Sequence, residues 1–398
     1  MKYVIYGFVV LALLAGAVLT FLRLNFGTIS IPRHTSPSTT AGELRDFSVP
    51  AGFHIYRFAQ NIENARVMVF DPQGTLLVSE TSAGKIVALP DHNEDQVADE
   101  VITVLSGLKR PHGIAFDCTA YESCHLYVAE EDALDRFSYD PKTMQASNKE
   151  KVADLPGGGR HFTRTLLFMP TPYEHTLLIS VGSSCNVCNE QDDKRAKILA
   201  YDTKTGKIEE FAKGLRNAVF LAINPTMGAI WATEMGRDGL GDDVPPDEIN
   251  IIEKGKNYGW PNCYGDNIHD SDFDHNTYIR NPCMSPFETP AHINLQAHSA
   301  PLGIAFVPEE GWPETWWYDA IVAYHGSWNR TSPTGYKLVR IPLDAKGRET
   351  GPIEDFITGW MNSSGTTIGR PVDVLTQPGG TMYISDDQSG VIYKMSHE

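Results

Sequence analysis

The chain has 398 residues and carries 50 Asp and Glu against 33 Lys and Arg, a formal charge of −17. That balance excludes a nucleic-acid binder, which needs a basic footprint. The length would suit two or three average domains, although all-β folds often exceed that prior.

The N-terminus reads as a separate element. Residues 3–22, YVIYGFVVLALLAGAVLTFL, are apolar between Lys2 and Arg23 and long enough to span a bilayer. A cleaved signal usually has a shorter apolar region, while Ala15-Gly16-Ala17 offers small residues for cleavage. Residues 1–27 are therefore expected to be a signal anchor or a signal peptide. Either exports the remainder of the chain to the periplasmic or extracytoplasmic face, and a retained segment ties it to the membrane. With only Lys2 ahead of the span, charge says little about orientation. Residues 28–43 are rich in Ser, Thr and Pro and read as a linker.

From residue 44 onward, apolar alternation with β-branched and aromatic residues dominates, as in GTLLVSE, HLYVAEE, TLLISVG, AIWATE and TMYISDD. Gly, Pro, Asp or Asn bound each run, as they bound strands. No long stretch has a helical period. Six copies of one module recur: RVMVFDPQGTLLVSE from Arg66, RPHGIAFDC from Arg110, RTLLFMP from Arg164, RNAVFLAINPTMGAIWATE from Arg216, APLGIAFVPEEG from Ala300 and RPVDVLTQPGGTMYISDD from Arg370. A repeated strand, turn, strand at this spacing predicts a six-bladed β-propeller over residues 44–398. Whether the first strand after the linker completes the last blade is left open. The longest gap between modules contains residues 237–298, and long loops on a rigid scaffold tend to carry function.

Five of the six modules begin with arginine. If they enter corresponding strands, those arginines converge on one end of the channel, and an acidic protein that gathers cations there is holding an anion. Six cysteines fall in local pairs, Cys118 with Cys124, Cys185 with Cys188 and Cys263 with Cys283. Three disulfides fit an exported chain. No second CxxC or nearby His pair completes a zinc set around Cys185.

The string RNAVFLAINPTMGAIWATEMGRDGLGDDVPPDEINIIEKGKNYGWPNCYG, with HFTRTLLF, GSSCNVC, HGSWNR and GRPVDVL, resembles the soluble quinoprotein sugar dehydrogenases. It is most similar to their sorbosone and pyranose dehydrogenase branch. The resemblance runs from about residue 44 to the C-terminus. It implies a six-bladed propeller that binds pyrroloquinoline quinone (PQQ) and calcium and oxidises sugars or related polyols. PQQ has three carboxylates, and arginine offers paired donors in a fixed fork for them. The resemblance places Arg216, Asn217, Arg370 and Arg330 against the cofactor. Trp328 is read as stacking on the quinone or lining the sugar site, with a buried blade aromatic as the alternative. His112 and His298 are further candidates for quinone or substrate contact.

The resemblance makes His161, in GGGRHFTRTLL, the general base that takes the hydroxyl proton while hydride passes to the quinone. In relatives an acidic residue precedes this histidine and orients it; Arg160 stands there here, so another loop must supply the partner. The implied calcium bridges the cofactor to the carbonyls of Gly236 and Arg237, a position where relatives often have proline. Calcium suits such oxygen donors. A second, structural calcium is implied at Glu248 and the carbonyl of Tyr258, with Asp247 assisting or capping a turn; no role is assigned to Asp242 or Asp243. Asp270, Asp272 and Asp274 mimic the start of an EF-hand loop without its glycine and terminal glutamate, so a solvated acidic loop is expected.

Three functions are compatible with these features: a dehydrogenase of sugars or sugar-derived aldehydes and alcohols, a calcium-dependent lactonase-like hydrolase, and a non-catalytic binding propeller. The first would pass its electrons to a membrane quinone or cytochrome. The arginine-rich mouth favours it, because propeller hydrolases hold their calcium chiefly with side-chain Glu, Asp and Asn.

Overall fold

The computed structural model describes residues 33–34, 43–120 and 123–397. The expected signal or anchor over 1–27 lies outside the described residues, as does most of the 28–43 linker. Among the described residues no helix is long and apolar enough to cross a membrane, and one 3-10 turn at Glu314–Trp316 is the only helical element.

Six four-stranded antiparallel sheets form the propeller. Their innermost strands are Ala65–Phe70, Ile114–Ala120, Leu166–Phe168, Ala218–Ile223, Pro301–Phe306 and Pro371–Gln377, so every sequence module opens a blade. The sixth blade closes the ring. Its outermost strand, Phe53–Gln60, pairs antiparallel with the C-terminal strand Val391–His397, from Phe53↔His397 to Gln60↔Val391. Phe53 and Ile55 turn into the core on alternate positions, which fixes the register. Phe47 packs edge-on against Trp360, with ring centroids 4.8 Å apart, and against Tyr393 at 5.3 Å.

Four of the six innermost strands share one irregularity. Pairing with the second strand shifts between Ala65 and Met68, Ala218 and Leu221, Pro301 and Ile304, and Pro371 and Val374. These are β-bulges, which free a backbone N–H and re-aim nearby side chains. In three of these blades a hydroxyl from the second strand satisfies the freed group. Ser79 accepts from Val67 N at 3.0 Å, Thr233 from Phe220 N at 3.4 Å and Ser385 from Asp373 N at 3.0 Å. In the third blade Ser180 accepts from Thr165 N at 3.0 Å.

Some of the same hydroxyls then reach the next blade. Ser385 donates to Arg66 O at 2.6 Å and Thr233 to Leu302 O at 2.6 Å. Thr165 likewise donates to Val219 O. These bonds tie neighbouring blades together beside the channel.

The long interval after the fourth module holds two excursions of the fourth blade. Residues 235–246 join its second and third strands, and 253–292 join the third to Ile293–Leu295. The longer one carries a small hairpin, Cys263–Tyr264 with Ile268–His269, and the Cys263–Cys283 disulfide. Cys118–Cys124 and Cys185–Cys188 are also bonded, as expected.

Trp360 is fully buried between Phe47 and Tyr393. Trp360→Ala should lower unfolding free energy by about 3–5 kcal/mol, the usual cost of deleting a buried aromatic. Urea denaturation measures it, and a change below about 1 kcal/mol would show that the N-terminal segment adds little to closure.

Candidate active site at the mouth of the channel

A pocket of about 260 Å³ opens where the innermost strands begin, lined by Arg160, His161, Arg216, Gly236, Asp238, Asp247, His298, His325, Trp328, Asn329 and Arg370 among others. Its size lies near the low end for small-molecule sites, roughly 300 Å³.

The module arginines gather at this end, but most are already engaged. Arg66 pairs with Asp387 at 2.7 Å. Arg110 lies 3.6 Å from Glu131 and over the Phe162 ring. Arg164 is fully buried and donates to the carbonyls of Thr163 at 2.7 Å and Pro156 at 2.6 Å.

Arg216 and Arg370 line the pocket. Buried Arg216 donates Nε to Asn186 O at 2.9 Å, Nη2 to Asn186 Oδ1 at 2.9 Å and Nη1 to Met235 O at 3.2 Å. Its carboxylate neighbour Asp238 lies 3.4 Å away. Partly buried Arg370 donates Nε to His325 O at 3.0 Å and Nη2 to Gly326 O. Burial holds both guanidinium groups below their ordinary pKa, because carbonyls replace water without supplying full countercharge.

Other predicted residues stand nearby. Asn217 packs behind Arg216, its N–H on Glu234 Oε1 at 3.1 Å. Trp328 is 51% exposed at the pocket edge, so the buried-aromatic alternative is set aside. Arg330 is buried but does not line the pocket; it donates to Asp242 O, to Ala297 O at 3.1 Å and to the Asp243 carboxylate at 3.0 Å. It thereby fixes the 240–243 loop. His112 is also outside the pocket lining, fully buried, with Nε2 unpartnered. Burial, with Arg66 and Arg164 beside it, drives its pKa well below 6.5. His298 does line the pocket and donates Nε2–H to Gly241 O at 2.7 Å.

His161 reveals what replaces the missing acidic neighbour. Its Nδ1 lies 3.0 Å from Ser183 O and 2.9 Å from Ser183 Oγ. A carbonyl only accepts, and the Ser183 hydroxyl already donates to Cys185 O at 2.7 Å. Nδ1 therefore carries the proton, and Nε2 keeps its lone pair. A backbone carbonyl and a hydroxyl thus orient the ring. Gly182 permits the approach: an added Cβ there would sit 2.6 Å from both His161 Cβ and Asn217 Oδ1. Burial, then Arg216, hold the His161 pKa down at about 3.

A second histidine went unmarked in the sequence. His325 lines the pocket with Nε2 2.9 Å from Asp387 Oδ1. Asp387 lies 62 residues further on and shares its other oxygen with Arg66. Against the cost of burial, His325 and Arg66 hold that carboxyl well below the usual carboxylate range.

The turn at Gly236 is capped by Asp247, whose Oδ1 accepts Gly236 N at 2.8 Å. Among the described residues no hydrogen bond ends on the carbonyl oxygens of Gly236 or Arg237. Behind the turn, Glu234, Arg237, Glu248, Tyr258 and Asp270 line a cavity of about 20 Å³, room for one water-sized occupant. Glu248 accepts Gly265 N at 2.6 Å and Asn250 Nδ2 at 3.0 Å. Glu234 keeps Oε2 unpartnered; burial, with Glu248 beside it, raises its pKa well above 4.5. Its place at a strand end in AIWATE gave no sign of this.

The expectation of a solvated acidic loop needs correction. Asp270 is buried and bonds Arg237 at 2.7 Å, and buried Asp274 bonds Tyr278 at 2.7 Å and lies 3.1 Å from His269. Only Asp272 of the three is exposed. Folding of the long excursion against the blade supplies partners that spacing could not reveal.

The donor set fits the expected groups. Arg216, Arg370 and Arg160 put three guanidinium groups in one lining, a match for a tricarboxylate. The two unengaged carbonyls fit a hard cation.

A family model described as TrAA12-like matches residues 47–398. An uncharacterized protein of Borreliella burgdorferi is 30% identical over 395 residues, covering 95% of this chain and 98% of its own length. The PQQ-dependent pyranose dehydrogenase of Coprinopsis cinerea is 26% identical over 408 residues, covering 87% of this chain but 54% of its own. The chain thus spans about half of that enzyme. The solved holo form of the same organism's pyranose dehydrogenase PQQ domain superposes with a TM-score of 0.73 at 22% identity, covering 93% of this chain and 100% of that one. That likeness carries the fold.

His161 should stay neutral in the cofactor-free protein down to about pH 3. From its ordinary value of 6.5 down to about 3, the unfolded chain binds a proton that the folded chain refuses. Stability is therefore lost as the pH is lowered through that window and regained as it is raised, and His161→Gln should flatten this part of the dependence. An NMR titration with a His161 midpoint near 6.5 would contradict the burial argument.

Proposed function

The chain belongs to the TrAA12-like family, and from that membership we propose that it is a PQQ-dependent dehydrogenase of sugars or sugar-derived aldehydes and alcohols. The observation that carries this reading is one pocket holding two carbonyl-braced arginines and a histidine with a free Nε2. The pyranose dehydrogenase relative adds support.

In this reading Arg216 and Arg370 grip the cofactor's carboxylates, with Arg160 at the rim and Asn217 bracing Arg216 from behind. Bound there, PQQ would supply the two-electron acceptor for the substrate's carbon-bound hydrogen. The carbonyls of Gly236 and Arg237 would hold calcium, which would supply Lewis-acid polarisation of the acceptor. His161 Nε2 accepts the proton of the substrate hydroxyl, and Ser183 holds the ring so that this nitrogen faces the pocket. The low pKa of His161 suits a site awaiting negative charge: a bound polyanion offsets the field of Arg216 and raises the basicity of Nε2. Trp328 covers the outer side and shields the reacting atoms from water. Glu248 and the Tyr258 carbonyl, with Glu234 beside them, are proposed to hold a second, structural calcium behind the turn.

The hydrolase reading has less support. A lactonase-type calcium needs free carboxylates at the mouth, whereas Asp247 already accepts Gly236 N and Ala300 N, and Asp238 accepts Asn329 Nδ2. We propose export on the strength of the three disulfides and the apolar residues 3–22. A membrane quinone or cytochrome is the proposed electron acceptor.

Purified protein given PQQ and calcium should show a quinone absorbance that sugar bleaches, screened over aldoses, pyranosones and polyols. His161→Ala should retain PQQ binding while dye reduction falls about 10²- to 10⁴-fold, the usual worth of a general base. Unchanged turnover would remove His161 from the mechanism. Chelation of calcium should abolish bleaching and calcium should restore it; lactone hydrolysis without PQQ would favour the rival.

A further inference from the structure

Residues 183–190 touch more of the mouth than their bland sequence suggests. The backbone carbonyl and side chain of Asn186 both face Arg216, at 2.9 Å from Nε and 2.9 Å from Nη2. The same Oδ1 accepts Asp238 N at 2.8 Å, and Nδ2 donates to Asp238 O at 2.9 Å. One side chain therefore ties the guanidinium to the turn that presents the Gly236 and Arg237 carbonyls.

Such double use requires a fixed backbone, and three features fix it. The Cys185–Cys188 bond closes a tight ring around Asn186. Ser183 Oγ donates to Cys185 O at 2.7 Å. Glu190 accepts Ser184 N at 2.6 Å and Ser184 Oγ at 2.8 Å. The strap also reaches the base, because Ser183 receives His161 Nδ1–H, while Ser184 O accepts Arg160 N at 2.8 Å.

We propose that the Cys185–Cys188 ring is a positioning device for the mouth, with Asn186 as the positioning residue that sets Arg216 and the 236–238 turn in one geometry for anion binding. The inference rests on the proposed cofactor reading and extends it to residues that never touch the cofactor. A structural staple alone would affect folding. A positioning device affects affinity in a folded protein, and its two parts act as a unit.

The test is titration of PQQ with calcium into the full chain, monitored by quenching of tryptophan fluorescence. Asn186→Ala and the Cys185→Ser, Cys188→Ser double variant should each raise the Kd by about 10- to 100-fold, the usual range when an outer-shell partner is removed. Sugar KM at saturating PQQ should be unchanged. Combining all three substitutions should weaken binding no further than the larger separate effect, the non-additivity of coupled groups. Asn186→Ala with wild-type Kd, or effects that multiply, would overturn the proposal. If Asn186→Ala fails to fold, the folded cysteine variant decides alone, and an unchanged Kd there overturns it too. A wild-type chain that ignores PQQ would fail at the first step and overturn the cofactor reading itself.

Discussion

Guanidinium groups held at the end of a channel by neutral oxygens are the constraint that organises this protein. Taking a cation out of water is costly unless charge and hydrogen bonds replace hydration. Arg216 and Arg370 receive carbonyls instead of bidentate carboxylates, and burial lowers the pKa of both. A chain with 17 more acids than bases has countercharge to spare, yet little of it is directed at these two groups. The deficit is local and points inward, which is the condition under which an anion binds well.

The repeat explains how the deficit is placed. Bulges at the start of four innermost strands re-aim the module residues beside them. The hydroxyls that satisfy three of the bulged N–H groups come from the second strand, in LLVSE, IWATE and YISDD, and LLISV supplies one to the regular third blade. Ser385 and Thr233 then bond the next blade. In the fourth and sixth blades one small polar residue thus both completes the irregular ladder and joins the next blade, so arginines far apart in sequence are carried on blades tied together beside the channel.

The fold was legible because each module carries its own turn, strand pair and spacing. Closure was not, since Phe53–Gln60 and Val391–His397 pair in a backbone ladder between the two ends of the propeller, which no local pattern announces. At the site, residue types were legible and their partners were not. Arginine at a module start marks the mouth, but nothing in RVMVF predicts that Asp387, 321 residues away, engages Arg66. His161 stands out through its family pattern; its orienting group does not, because a backbone carbonyl has no sequence signature. The His325–Asp387 pair is hidden for the same reason as buried Asp270: each partner lies in a different loop. Arg330 shows the converse, a predicted ligand that braces a neighbouring loop.

The most direct test of the central claim is calorimetric titration of PQQ, with calcium present, into wild type and an Arg216→Gln, Arg370→Gln variant over a series of salt concentrations. Charge-assisted recognition predicts binding that weakens as salt rises, and a variant that loses most of both the affinity and that salt dependence. Equal affinity and equal salt dependence in the two proteins would mean that the arginines at the mouth do not hold the anion.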